Sequence, residues 1–127
     1  MRIRKEDIPV KIDVPGATAR ALPDFGTATG SMGAEYFSLG AGTDIAPLLE
    51  GLDNDLCHAP HWGYVLSGEL VVTYGDDTTE TCRGGDIYYW PAGHSVRVID
   101  DTELVMFSPY AAHNDVMDHM LAKLAGD

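Results

Sequence analysis

Between Glu35 and Phe107 the apolar residues fall in short segments, each stopped by a cluster of glycine, proline or aspartate. Glu35–Leu39 reads as a strand broken by Gly40-Ala41-Gly42, and Thr43–Leu48 as a second. After the acidic loop Glu50–Asp55 the spacing tightens. His61–Leu66 ends in Ser67-Gly68, Glu69–Tyr74 in Gly75-Asp76-Asp77, and Thr78–Cys82 in Gly84-Gly85. Asp86–Trp90 ends in Pro91-Ala92-Gly93, Ser95–Ile99 in Asp100-Asp101, and Glu103–Phe107 in Ser108-Pro109. Strands punctuated at this rate predict an all-β sandwich or barrel. No room remains for the crossovers that parallel strands need. Upstream, Met1–Lys11 is charged with little periodicity, Pro15-Gly16 marks a turn, and Ala17–Leu22 reads as a short strand ended by Pro23-Asp24. The tail changes period: Val116, Met117, Met120, Leu121 and Leu124 form one helical stripe opposite Asp115, His119 and Lys123. This predicts a helix over roughly 110–125, capped by Asn114 or starting a turn earlier after Pro109, and lying on the barrel or in a dimer contact.

Composition then bounds the partners. The 127 residues make one domain: an arm over 1–32, a barrel over roughly 33–108 and the helix. With 8 Lys and Arg against 20 Asp and Glu the formal charge is −12, a field that repels phosphate backbones and anionic lipid headgroups. Nucleic acid and membranes are therefore excluded as expected partners, and a small molecule is the expectation. No apolar run has spanning length and the N-terminus lacks a signal peptide's apolar core, so a soluble cytoplasmic protein is expected. The two cysteines, Cys57 and Cys82, are too few for a disulfide scaffold.

Candidate chemistry concentrates in Asp55-Leu56-Cys57-His58-Ala59-Pro60-His61. Along an extended chain Asp55, Cys57 and His61 share a face, while His58 has the opposite parity unless Pro60 turns it inward. Thiolate and imidazole suit zinc, iron, copper and nickel. A fourth candidate, His94, follows the Pro91-Ala92-Gly93 turn and shares parity with apolar Val96 and Val98. Beside the cysteine and histidines, ligation is a better reading of His94 than a satisfied core histidine. Cys57, His58, His61 and His94 are thus the candidate metal ligands. Asp55 reads as a solvated loop residue, Cys82 as packing, and His113 and His119 as structural or surface groups. Tyr88 and Trp90 share one face of their segment and Tyr89 the other, without parity saying which points inward. No nucleophile elbow, phosphate loop or dinucleotide fingerprint is present.

Over roughly residues 33–108 the sequence resembles the cupin family, in particular small single-domain cupins. Family motif one, G-x5-H-x-H-x3–4-E-x6-G, is matched in the stretch leading through His61-Trp62-Gly63-Tyr64 to the Ser67-Gly68 turn. His61 takes the usual glutamate position, Cys57 the second histidine and Asp55 the first. Motif two is matched through Gly85-x5-Pro91-x-Gly93; Val96 stands where its histidine is expected, and His94 is the substitute. The resemblance implies a double-stranded β-helix (jelly-roll) barrel, a frequent homodimer, and a divalent transition metal between the motifs. Zinc is the first choice for a mixed cysteine–histidine set, with iron, copper, nickel or manganese as alternatives. It further implies a small-molecule enzyme of dioxygenase, isomerase or cyclase type. The alternative is a non-catalytic binding or structural cupin with a degenerate metal site.

Overall fold

A computed structural model of the chain describes residues 1–22, 25–28 and 30–126. The Pro23-Asp24 stop lies outside the described residues. Among the described residues eight strands and two α-helices follow in order: β1 Arg2–Arg4, β2 Val10–Val14, β3 Ala17–Arg20, β4 Met32–Leu39, α1 Ala46–Leu49, β5 His61–Tyr74, β6 Thr79–Arg83, β7 Asp86–Trp90, β8 His94–Pro109 and α2 Tyr110–Leu124. All pairings are antiparallel, in the order β1-β7-β5-β8-β4 with β6 also on β5; β2 and β3 form a separate hairpin.

The long β5 and β8 are the spine. Their register shifts repeatedly between Val65 and Leu70, where Ser67 faces Glu103 and Glu69 faces Asp100. Each strand therefore serves two layers. The first half of β5 and the end of β8 pair with β7 and β4, and the second half of β5 pairs with β6 and the start of β8. The core between the layers is built from Val65, Leu70, Val72, Tyr88, Trp90, Val96, Leu104 and Met106. Tyr88 and Trp90 are the inward pair, with ring centroids 4.1 Å apart. Cys82 is buried in this core, as its packing role requires.

Three expectations change, and the choice left open at the start of the C-terminal helix is decided. The segments on either side of Ser67-Gly68 are one strand, as are those flanking Asp100-Asp101. Thr43–Leu48 is not a strand: Asp44 bridges to Arg97, and Pro47, which lacks an amide hydrogen, sits in the first turn of α1. α2 starts at Tyr110 after Pro109, so Asn114 is inside the helix and caps nothing. Val10–Val14, whose apolar and charged residues alternate, is a further strand, within a stretch whose charge hides it.

A second, smaller core of Leu49, Cys57, Ala59 and Val116 seats α2 against α1 and the loop before β5. This docking places the helix across one mouth of the barrel.

Candidate metal centre

Residues 57–61 alternate buried, half-buried, buried, half-buried, buried, so Cys57, Ala59 and His61 turn inward and His58 does not. Backbone pairing then brings in His94. The Cys57 amide donates to the His94 carbonyl at 2.9 Å, and the amides of Gly93 and His94 donate to the Cys57 carbonyl at 2.7 and 3.2 Å. Gly93, at φ 89°, makes the turn that lets the chain return beside Cys57. His61 and His94 are 3% and 1% exposed. Among the described residues Cys57, His61 and His94 form the one compact donor group, with ligand atoms within 4.8 Å of one another. The structure thus unites three of the four candidates. His58 stays outside because strict alternation, unbroken by Pro60, points it away. Asp55 is an exposed loop residue whose Oδ1 accepts the Gly51 amide.

Each imidazole is anchored through one nitrogen. His94 Nδ1 lies 2.8 Å from the Pro91 carbonyl, which only accepts, so Nδ1 carries the hydrogen and Nε2 the lone pair. His61 Nδ1 lies 2.6 Å from buried Ser108 Oγ, and its Nε2 is 3.4 Å from Cys57 Sγ. Burial holds His94 down at about 4 against the Pro91 hydrogen bond, and drives His61 well below the ordinary histidine range with His94 and His113 adding to the effect. Both shifts favour the neutral ring, the form that binds metals. Burial pushes the Cys57 thiol up to about 11, so thiolate needs a cation beside it.

This donor set fits a soft or borderline transition metal. Zinc bonds of about 2.0–2.3 Å place tetrahedral ligand atoms roughly 3.5 Å apart, close to the cysteine–histidine separation here. Partners that orient the distal nitrogen of ligating histidines are the usual second layer of such sites, and Pro91 and Ser108 fill that place.

The donors open on a chamber of about 110 Å³, walled by Phe37, Leu39, Trp90, Leu104 and, from α2, Met117 and Met120. His113 also lines it. The sequence makes it a structural or surface group, yet it is 5% exposed, its ring centroid is 4.5 Å from that of His61, and its Nδ1 is 2.7 Å from Glu35 Oε1. The available signal was a histidine inside an otherwise apolar helix stripe, opposite a glutamate with the inward parity of Phe37 and Leu39. His119 lies away from the chamber, its Nε2 donating to the Glu50 carbonyl at 2.7 Å.

No protein-family model matches the sequence, and no curated protein does. Among solved structures, the chain is similar to a cupin superfamily protein from Desulfitobacterium hafniense at 18% identity and a TM-score of 0.50, covering 81% of this chain and 94% of that one. The fold is that of a cupin. A conserved protein of unknown function from Streptococcus pyogenes (21% identity, TM-score 0.49, 65% of this chain and 67% of that one) is also similar. So is an oxalate decarboxylase variant from Bacillus subtilis (17% identity, TM-score 0.47, 86% of this chain). The chain spans only 29% of that decarboxylase. A shared cupin barrel selects no reaction, so the function rests on the site. Among the described residues no helix is long and apolar enough to cross a membrane.

Proposed function

We propose that this cupin holds one divalent transition metal, zinc in the first place, on Cys57, His61 and His94, and binds a small, largely apolar molecule beside it. The observation that carries the reading is the convergence of a thiol and two neutral, pre-oriented imidazoles on one apolar chamber. A chamber of about 110 Å³ is smaller than the ~150 Å³ cavity that takes benzene, so it suits a molecule of a few heavy atoms. When bound, the metal supplies Lewis acidity toward a donor atom of that molecule. The chain supplies the rest: Pro91 and Ser108 fix the rings, and the apolar wall excludes water. Both cysteines are free thiols, in keeping with the reducing cytoplasm to which we assign the protein.

Elemental analysis of protein prepared without chelator tests this. One metal per chain is expected, lost in the His61→Ala/His94→Ala double variant. Substoichiometric metal that the double variant leaves unchanged overturns the reading.

We also propose a homodimer. The outer face of the β4-β8-β5-β7 layer carries the cross-strand rows Tyr36–Val105–Tyr64–Ile87 and Ala34–Phe107–Trp62–Tyr89. Tyr36, Tyr64 and Phe107 are exposed there. Two copies that each carry −12 repel, so contact is favoured where this apolar patch, edged by Glu103, meets its like, and a two-fold axis pairs the same face on both. Light scattering is expected to give a dimer for the native chain and a monomer for Tyr36→Glu/Phe107→Glu. A native monomer at high micromolar concentration rules the dimer out.

A further inference from the structure

We infer that His113, on the first turns of α2, is the fourth protein ligand of the centre, so that metal ties the C-terminal helix to the barrel. This rests on the three-donor reading above and extends it to a residue outside the compact donor group. The ring of His113 stands as near to His61 as that of His94 does, at 4.5 Å against 4.8 Å between centroids. Its side chain lines the same chamber as all three donors. Its Nδ1 is taken by Glu35, which leaves Nε2 as the free ring nitrogen. That is the same anchoring, through Nδ1, that Pro91 gives His94 and Ser108 gives His61. Three imidazoles, each held through Nδ1 and lining one chamber with a thiol, are the makings of a Cys/His₃ tetrahedron.

Glu35 supplies an independent reason. Its Oε1 receives His113, but its Oε2 is buried with no hydrogen-bond partner among the described residues. A carboxylate oxygen so placed is costly unless positive charge is near. A histidine that passes its hydrogen bond to a carboxylate while its other nitrogen meets a cation supplies that charge, and carboxylate–histidine–metal chains are a recurrent arrangement. A plain structural tether explains the Glu35–His113 bond, but not the bare oxygen, nor a ring nitrogen left without a partner among the described residues in a side chain that lines the donors' chamber.

Cobalt(II) substitution of the full chain tests the assignment, with visible spectra as the readout and zinc affinity measured by chelator competition. The native chain is expected to give the intense bands of four-coordinate cobalt with a thiolate charge-transfer band. His113→Ala and His113→Gln should weaken and shift the ligand-field bands, lower zinc affinity by about 100-fold or more, and retain the thiolate band. Free imidazole should restore the spectrum of His113→Ala. Glu35→Gln should lower affinity by roughly 10–100-fold. If both folded His113 variants keep the native spectrum and zinc affinity within about threefold, His113 is only a tether, and the three-donor centre stands without it. If cobalt gives no thiolate band, or binds equally well in Cys57→Ser and His61→Ala, the three-donor reading fails and this inference with it.

Discussion

Gly63→Ala is expected to lower stability by about 3 kcal/mol or more, a large part of the ~5–15 kcal/mol that holds a domain together. Gly63 lies in β5 with Tyr88 of β7 on one side and Met106 of β8 on the other. A Cβ there would run into the Val105 carbonyl oxygen and lie 2.5 Å from Tyr88 Oη and 2.7 Å from its Cζ. It would occupy the space of a hydrogen bond, because Tyr88 Oη donates to the Val105 carbonyl at 2.9 Å. Neither group can retreat. Val105 is paired on both sides, to Tyr36 and to Tyr64, and Tyr88 is fully buried against Trp90. Overpacking at a site this rigid costs at the upper end of the usual range. The backbone angle is not at issue, since Gly63 is not among the positive-φ glycines. Thermal unfolding should fall by roughly 10 °C or more. Gly40→Ala, where an added Cβ meets nothing within 4 Å, should leave the midpoint nearly unchanged. A Gly63→Ala midpoint within a degree or two of native would show that the two layers yield at the spine.

The same spine explains what the sequence reveals and what it conceals. Ser67-Gly68 and Asp100-Asp101 look like turns, and residues around them face each other across β5 and β8. Two local turn signals that lie opposite one another in a ladder bend both strands together without ending either. Gly68, at φ 100°, has the Asp101 carbonyl and Thr102 Oγ1 pressed against its α-carbon side, so the glycine marks a close approach of strands. That relation is long-range and has no local signature. Inward parity was legible for Cys57, His61 and His94 because alternation in extended chain is local. The bend that carries His113 onto them was not: its partner Glu35 is 78 residues away on β4. Helical periodicity sees an apolar stripe and assigns the histidine to packing. Only the docking of α2 over the barrel mouth shows that this stripe is the chamber's roof. His58 has the opposite parity, and the alternation through Pro60 contains no kink that would turn it inward.

Zinc is expected to raise the unfolding temperature of the native chain by on the order of 15 °C at ~1,000 times its dissociation constant. The estimate follows from mass action. A ligand that binds the folded state alone adds about 4 kcal/mol at that excess, less whatever affinity the unfolded thiol and imidazoles retain. The gain also has a place to act. Cys57 belongs to the small core with Leu49 and Val116, His94 opens β8, and His61 opens β5, so one ion joins the loop before β5 to both spine strands. Cys57→Ser separates this effect from packing. The backbone bridge between Cys57 and His94 uses only main-chain groups and survives the change. The serine fills nearly the same buried volume, so metal-free stability should fall by only about 1 kcal/mol, a drop of roughly 4 °C in the midpoint. Its hydroxyl, however, is a poor ligand for a borderline-soft ion, and the zinc-induced rise should shrink to a few degrees. Chelator should lower the midpoint of the native protein as isolated and leave that of Cys57→Ser where it was. A native midpoint indifferent to both zinc and chelator would instead favour the alternative, a cupin-fold barrel without a metal whose apolar wall alone would bind a small molecule, with Cys57, His61 and His94 as a satisfied polar cluster at the bottom of the chamber.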